Sequence, residues 1–439
     1  MKKLALIIAL TALAAGSAMA QTNYDFANTG SDGTVLYYKV TGAQSVTVYG
    51  HRIDTSDATT VYVGTLVIPD TVAHDGISYA VTAVGDSAFF RQTEITSLTL
   101  PPTLRTIGTA SFFYCRALAA IDVPEGVTEI GVMSFGSCRH AARVDIPSLV
   151  TSIGTFAFYA LGRDTTCAAV VFHDAPCAIA NYAFNIAKAQ VDLGDSVVSI
   201  GTDAFNGCDM TSVAVPPSVR HLGDGAFSEC MYLLTATLPG TLDTIPARMF
   251  NGCLSLEEFN IPDSVKYIGE NAFLECLHFN GDLVLPERLD YIGASAFAYT
   301  HCTGIVSKAV VPPTAFSSTF DGISTAIYVQ VPCGSGEAYA AAAGWSRFTD
   351  ITEDCGGIDD AVDATVTVGP VPASGMVTVS TAIGATHVEA YDMSGTLVHR
   401  QKADGLATTL DVRHWPTGTY LLRIHTPQGT AVKKLVVRR

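Results

Sequence analysis

The chain of 439 residues is long enough for more than one domain, and its 48% content of apolar residues allows a large hydrophobic core. Charged residues make up only 15%, which argues against long solvated helices and against intrinsic disorder. The formal net charge of −16 disfavours nucleic acid and anionic membranes as partners, because both would repel such a surface.

The N-terminus has the pattern of a secretory signal peptide over residues 1–20. Two lysines supply the positive charge, residues 4–15 form an apolar stretch, and small residues follow. Cleavage is therefore expected between Ala20 and Gln21. The alternative, an uncleaved membrane anchor, needs about 20 apolar residues, and this run is shorter. Because no later stretch is long and apolar enough, the mature chain is predicted to lack a transmembrane segment.

Residues 21–83 are rich in Tyr, Val and Thr and contain two runs typical of strands, 35–38 and 46–49. The open end of a repeat stack exposes apolar core and unpaired strand edges, so it needs a cover. We predict that this segment is an N-terminal β cap that leads into the first of the repeated units.

Residues 84–305 repeat a pattern with a period of about 23 residues. A typical unit has an apolar residue and Pro, then Ile-Gly or Leu-Gly, then a Phe that usually follows a small residue. The unit 262–276 shows the full pattern P-x-x-V-x-x-I-G-x-x-A-F-x-x-C. The recurrent phenylalanines are Phe89, Phe112, Phe135, Phe158, Phe184, Phe205, Phe227, Phe250, Phe273 and Phe297.

Each feature of the repeat has a physical interpretation. A short alternating run, such as 259–261, predicts a strand with one face inward. Pro lacks an N–H and ends the strand, Gly permits a tight bend, and Phe fills the core. One unit cannot bury its apolar face alone, so about ten stacked units are predicted to form a repeat solenoid with short parallel strands.

Residues 306–355 keep strand patterns but lose the repeat register, and we predict a C-terminal cap there. A short helix is predicted over 337–343, with Trp345 and Phe348 closing the end of the stack. Residues 356–363 are polar and contain glycine, which is typical of a flexible linker.

The last segment, 364–439, contains short runs of strand type separated by glycines. This pattern favours a small C-terminal antiparallel β-sandwich. The predicted strands are 366–368, 377–379, 387–391, 397–398, 419–424 and 432–437.

The repeat over residues 24–352, with its Tyr-rich start and its closing segment 331–335, resembles the BspA type of leucine-rich repeat. The resemblance implies a leucine-rich-repeat-like stack. It also implies a cell-surface or secreted protein of bacteria or some protozoa, in a family of which several members adhere to host matrix proteins or to other bacteria.

The C-terminal module resembles a type IX secretion sorting domain of the Bacteroidetes. The motifs that match are 370–373, 388–395, 418–424 and 434–439, the first of which departs from the usual Pro-Asn-Pro. The resemblance implies that secretion machinery recognises 364–439 and carries the chain across the outer membrane. Removal of the domain would then link the protein to a surface lipopolysaccharide or release it. The alternative is an ordinary accessory β domain.

Eleven cysteines in an exported chain would ordinarily suggest disulfides. Several share one repeat position, three residues after the Phe, and Leu161 and Ala187 hold that position in the irregular units. We therefore predict a ladder of buried free thiols; disulfides between neighbouring rungs would need strained geometry. The cysteines of the ladder are Cys115, Cys138, Cys208, Cys230, Cys253 and Cys276. The disulfide candidates outside it are Cys167 with Cys177 and Cys333 with Cys355.

Sequence patterns of enzymes are missing: the chain has no H-E-x-x-H, G-x-S-x-G, Walker A or C-x-x-C. The adjacent His301 and Cys302 would point to opposite faces of an extended run, which disfavours a catalytic dyad. We therefore predict a protein that is not an enzyme and has no catalytic residues, cofactor or metal.

Outward positions of the longer strands would form one continuous face across the units, and a partner could contact several similar rungs. The candidate partner residues are Asp122, Arg143, Asp145, Asp192, Glu258, Asn260 and Asp282. The alternative is a solvated face without a ligand.

These features together predict a cell-surface or secreted adhesin that binds proteins of the host matrix or of other bacteria. One alternative is a surface glycan-binding protein, which would need exposed aromatic residues clustered on one face. The predicted strand face offers none. The other alternative is an envelope scaffold without a dedicated ligand.

Overall fold

The computed structural model describes residues 24–50, 61–165, 167–174, 176–332, 334–354, 365–394, 396–426 and 429–438. Its contacts divide the chain into two units, residues 1–331 with 335–352 and residues 332–334 with 353–439. The predicted cleavage site between Ala20 and Gln21 and the predicted linker 356–363 lie outside the described residues.

The first unit begins with a sheet that precedes the repeats. Its antiparallel pairs are β1 with β2, β2 with β3 and β5 with β6, and β3 pairs in parallel with β6. The strands of this region are β1 (Phe26–Thr29), β2 (Val35–Gly42), β3 (Ser45–Tyr49), β4 (Gly64–Val67), β5 (Thr71–His74) and β6 (Ile77–Val84).

Most repeats contribute two strands, and each pairs in parallel with the equivalent strand of a neighbouring repeat. The longer strands are β7 (Ile95–Thr99), β9 (Ile121–Asp122), β11 (Arg143–Ile146), β13 (Ala168–Phe172), β15 (Ala189–Asp192), β17 (Ser212–Ala214), β19 (Thr235–Thr237), β21 (Glu258–Phe259), β23 (Asp282–Leu285) and β25 (Gly304–Ser307). The short strands are β8 (Thr106–Ile107), β10 (Glu129–Ile130), β12 (Ser152–Ile153), β14 (Ala178–Ile179), β16 (Ser199–Ile200), β18 (His221–Leu222), β20 (Thr244–Ile245), β22 (Tyr267–Ile268) and β24 (Tyr291–Ile292). The predicted solenoid of parallel strands is confirmed, with about 12 turns of about 23 residues.

The recurrent phenylalanines stack as one ladder through the core. From Phe89 to Phe297, neighbouring ring centroids are 4.9–5.8 Å apart, close to the spacing of paired strands. The long step from Phe158 to Phe184 does not interrupt the ladder, because these two rings are 4.9 Å apart. Phe320 continues it at 6.1 Å from Phe297, so the register extends into the predicted cap.

The C-terminal end of this unit is closed by aromatic residues. Strands β26 (Tyr328–Pro332) and β27 (Asp350–Asp354) extend the sheet of β23 and β25, with helix α1 (Gly336–Ala341) between them. Trp345 and Phe348 are buried against Phe320, with ring centroids 5.1 and 5.5 Å from it. Among the described residues, no helix has the length and hydropathy to cross a membrane.

Glycine is needed in the Ile-Gly step for a reason other than the tight bend that was predicted. A Cβ on Gly154 would lie 2.5 Å from the backbone nitrogen of Val132 in the preceding turn. A Cβ on Gly131 would lie 2.7 Å from the carbonyl oxygen of Ile107. Glycine is therefore required here because stacked backbones approach too closely for a side chain.

The six ladder cysteines are free and fully buried, as the repeat pattern predicts. The thiol of Cys253 lies 3.2 Å from the carbonyl oxygen of Phe227, and that of Cys138 lies 3.5 Å from that of Phe112. Each of these thiols thus donates a weak hydrogen bond to a carbonyl of the preceding turn. Burial raises the pKa of Cys115 to about 12, so its thiol stays protonated.

The proposed disulfide between Cys167 and Cys177 is not formed, since both thiols are free. The five-residue strand β13 lies between them in the chain, an extended span of about 16 Å. Cys167 lies 3.8 Å from the side-chain nitrogen of Gln190 instead, and Cys177 is buried in the core. Cys333 and Cys355 lie outside the described residues.

The burial of the ladder predicts a sharp difference in thiol reactivity. In a Cys333→Ser/Cys355→Ser variant, a maleimide should label half-buried Cys167 first, because the buried ladder thiols are protonated and shielded. Mass spectrometry of the native protein measures the labelled positions. Adding Cys167→Ser should remove the fast phase, whereas rapid labelling of Cys230 or Cys253 would contradict the buried ladder.

The second unit is an antiparallel sheet of five strands. Its strands are β28 (Val366–Gly369), β29 (Met376–Asp392), β30 (Leu397–Asp411), β31 (Gly418–Thr426) and β32 (Gly429–Val437). β29 joins two strands that were predicted as separate. Its register with β30 shifts between Ser380 and Ala385, and its two halves pair with different strands, β28 and β31. This bend lets one sheet fold over its own core and confirms the antiparallel sandwich.

Candidate functional site

The predicted partner residues lie on the outer face of the longer strands. All are exposed except Asp145, which is half-buried. They are spread over three sheets. The β9–β15 sheet carries Asp122, Arg143, Asp145 and Asp192, the sheet of β17, β19 and β21 carries Glu258 with Asn260 just beyond it, and the sheet of β23–β27 carries Asp282.

The structure brings the side chains of Arg143 and His173 together at the carboxylate of Asp145. His173 Nε2 lies 3.1 Å from one carboxylate oxygen, and Arg143 Nε contacts the other. Burial raises the pKa of Asp145, but hydrogen bonds from His173 and Arg143 outweigh it and hold this pKa below its ordinary value. Asp122 is the neighbour of Asp145 in the strand register. This cluster can therefore contact a charged partner, although its acids are partly neutralised from within.

Other acids of the strand face are engaged by the fold itself. Asp192 accepts a hydrogen bond from the Gly194 amide at 3.1 Å. Asp282 accepts one from the Thr303 hydroxyl at 2.8 Å and another from the Tyr328 hydroxyl. Such contacts hold neighbouring strands and turns, so these two residues have a structural use that requires no partner.

A second surface, which the sequence analysis missed, lies at the turns that carry the Phe ladder. We define the aromatic edge as Phe90, Phe113, Tyr114, Phe156, Tyr159 and Tyr182. These residues form an apolar cluster separate from the main core, and four of them remain partly exposed. Phe113 and Phe156 are buried at the centre of the cluster, 1% and 6% exposed.

The rings of the edge stack on one another along the solenoid. Phe90 and Phe113 have ring centroids 5.8 Å apart with an interplanar angle of 14°, and Phe156 and Tyr182 are 5.1 Å apart at 15°. Tyr114 packs edge-on against Phe113 at 4.5 Å. The faces of Phe90 and Phe113, and those of Phe156 and Tyr182, are thus partly covered by one another.

Arginines surround these rings. The guanidinium carbon of Arg116 lies 4.9 Å from the ring centre of Tyr114, and that of Arg91 lies 5.7 Å from the same ring. Burial and the nearby Tyr114 raise the pKa of Tyr159, while Arg163 acts in the opposite direction. Arg91, Arg116 and Arg163 are exposed, so a chain with a net charge of −16 presents positive charge at this edge.

One sequence signal could have located the aromatic edge. The position directly after the ladder Phe is aromatic in three of the first four units, as Phe90, Phe113 and Tyr159, and is Gly136 in the other. The same position holds Asn185 and Asn206 in the next two units. A core position would keep its apolar character throughout, so the change from aromatic to polar marks a surface specific to the N-terminal turns.

The repeats match the BspA type of leucine-rich repeat region over residues 76–188 and 177–305, in six copies. The chain belongs to this family. Repeat proteins of this family are generally non-catalytic. In this BspA-type protein, residues 367–438 also match a secretion system C-terminal sorting domain. The tail marks the chain for type IX export, to the cell surface or as a secreted protein.

Solved structures similar to this BspA-type protein come from several bacteria. A leucine-rich repeat protein from Bacteroides ovatus is 22% identical, with 75% of this chain and 76% of that chain covered and a TM-score of 0.40. The pneumococcal vaccine antigen PcpA is 15% identical, with 76% and 100% covered and a TM-score of 0.36. A leucine-rich cell surface protein from Faecalibacterium prausnitzii is 19% identical, with 76% and 96% covered and a TM-score of 0.27. Among curated proteins, none matches significantly.

Proposed function

We propose that this protein is a non-catalytic adhesin that binds a protein of the host matrix or of another bacterium through its aromatic edge. The observation that supports the proposal is the cluster of partly exposed aromatic rings flanked by three exposed arginines. Tyr and Arg are enriched among the residues that dominate protein–protein binding energy. The arginines complement a partner with acidic side chains.

The geometry of the rings favours a protein over a glycan as partner. Sugar binding needs an open ring face on which the sugar can stack. Here Phe156 stacks on Tyr182, and the Arg116 guanidinium covers Tyr114. The partly exposed rings and the exposed guanidinium groups are suited to apolar and acidic side chains of a protein.

The strand face remains a second candidate for adhesion. Its support is the Arg143–Asp145–His173 cluster, which presents both signs of charge next to Asp122. A partner that spans several rungs would gain from their repetition. An envelope scaffold without a ligand is the remaining alternative, and the experiment below distinguishes the three.

Binding of the purified mature chain to matrix proteins and to whole bacteria tests the proposal. The edge variant is Tyr114→Asn/Arg116→Gln, in which Asn tolerates the left-handed backbone at position 114, where φ is 66°. We expect it to weaken saturable binding by about 30-fold, the effect of losing a contact of roughly 2 kcal/mol. Surface plasmon resonance measures the affinity for each protein that is captured.

Two control variants make the outcome specific. Tyr232→Asn changes an exposed tyrosine elsewhere, 57% exposed, and should leave the affinity unchanged. Arg143→Ala/Asp145→Ala changes the strand face. If this variant weakens binding and the edge variant does not, the site lies on the strand face. Absence of binding to every matrix protein and cell type would favour the scaffold.

A further inference from the structure

The second unit carries a cluster of two histidines and a glutamate on the outer face of its sheet. His387 on β29 and His425 on β31 are direct cross-strand partners, and Glu389 lies two residues along β29 on the same face. Their nearest ligand atoms all lie within 4.8 Å of one another. Among the described residues, these three are the set of His, Cys, Asp or Glu side chains that are close enough to hold a metal ion together.

The nitrogens of both imidazoles are oriented by their neighbours. His425 Nε2 lies 3.4 Å from Glu389 Oε2, and His387 Nε2 lies 4.0 Å from Glu389 Oε1. On the other side of each ring, Nδ1 is 3.3 Å from a threonine hydroxyl, that of Thr386 for His387 and that of Thr430 for His425. When Nδ1–H donates to the threonine hydroxyl, the Nε2 lone pair can bind an ion beside Glu389, which then replaces the hydrogen bond between His425 Nε2 and Glu389 Oε2.

Glu389 is held in place by a neighbouring hydroxyl group. The Tyr391 hydroxyl donates to Glu389 Oε2 at 2.8 Å. The side chain of Glu389 is 11% exposed, whereas those of His387 and His425 are 30% and 26% exposed. The carboxylate is therefore fixed in place while solvent can reach the two imidazoles.

We propose that His387, Glu389 and His425 bind one Zn²⁺ ion. Two imidazoles and one carboxylate suit Zn²⁺ and leave its fourth position for water, whereas Ca²⁺ and Mg²⁺ prefer oxygen ligands alone. The rings now stack with centroids 3.9 Å apart and an interplanar angle of 11°. Because nitrogen lone pairs lie in the ring planes, binding turns the two rings toward a shared point, which their partial exposure permits.

Arg400 competes with the metal ion for Glu389, so replacing Arg400 should strengthen Zn²⁺ binding, whereas replacing a ligand should weaken it. Its Nε lies 3.3 Å from Glu389 Oε1, and its side chain is 64% exposed. The guanidinium occupies part of the carboxylate that the ion needs, so Zn²⁺ must displace it into solvent. Arg400→Gln should therefore bind Zn²⁺ more tightly than the unchanged chain, since every ligand is kept and a competing cation is lost.

Isothermal titration calorimetry of the chain from residue 21 to residue 439, with the C-terminal domain retained, tests the proposal by titration with ZnCl₂. We expect one site that is weakened about tenfold or more in each of His387→Ala, Glu389→Gln and His425→Gln. His414→Ala, which removes an exposed histidine of the same unit, serves as control and should bind normally. CaCl₂ and MgCl₂ should give no heat at this site.

A thermal scan with and without Zn²⁺ gives an independent readout. Ion binding to the folded form alone should raise the unfolding temperature of the unchanged chain and raise it further in Arg400→Gln. Arg400→Gln retains all three ligands. It therefore still tests Zn²⁺ binding if one of the ligand variants fails to fold. Zn²⁺ affinity that is the same in the unchanged chain, His387→Ala and His425→Gln would overturn the proposal, as would no binding at all.

Discussion

Replacing Phe205 with alanine should lower the free energy of unfolding of the repeat unit by about 3–5 kcal/mol. Phe205 is 0% exposed and stacks between Phe184 and Phe227, with ring centroids 5.1 and 5.5 Å away. Removing its ring leaves a cavity between two turns whose backbones are tied by hydrogen bonds. The turns cannot close the cavity without breaking the strand register, so little of the loss is recovered.

Urea unfolding followed by circular dichroism measures this loss. Tyr232→Ala, at a position 57% exposed, is the control and should change the free energy of unfolding by less than about 0.5 kcal/mol. In a chain with Trp415→Phe, fluorescence of Trp345 reports the far end of the stack. If Phe205→Ala lowers the free energy of unfolding by less than about 1 kcal/mol, the stacked phenylalanines do not contribute the expected stability.

Deleting residues 364–439 should retain the protein in the periplasm and abolish its appearance at the surface or in the medium. The sorting domain match spans 367–438, and these residues form a unit with its own core, so their removal takes away the export signal as a whole. Cell fractionation and digestion of intact cells with protease measure the distribution.

The edge variant Tyr114→Asn/Arg116→Gln, whose tail is intact, is the matched control and should reach the surface in normal amounts. The truncated chain should resist protease in intact cells and become sensitive once the outer membrane is opened. Surface display of the truncated chain at the normal level would show that 364–439 is an accessory β domain without a sorting role.

Much of the fold was predictable because the same pattern of buried and turn-forming residues recurs in every regular repeat. Phe112, Phe135 and Phe158 recur in one register with Gly and Pro, and only a stacked arrangement buries all of them together. The ladder cysteines were assigned correctly for the same reason, since a position that alternates Cys with Leu161 and Ala187 is a small apolar site. The predicted repeats end at residue 305, and Phe320 nevertheless keeps the 23-residue step from Phe297 and stacks on it, without an Ile-Gly motif before it.

The sequence by itself thus determined the stacking, the buried ladder and the two-part organisation. Periodicity and a change of composition are visible along the chain without knowledge of how the strands pair. Only the tertiary structure determined which side chains are brought together at the surface. Arg91 lies over the ring of Tyr114 because adjacent turns stack, and Gly154 is required because the backbone of the preceding turn lies against it. His387 and His425 are far apart in the chain, and only the register of β29 with β31 places them side by side. Such contacts depend on how strands pair across the chain, which local pattern does not specify.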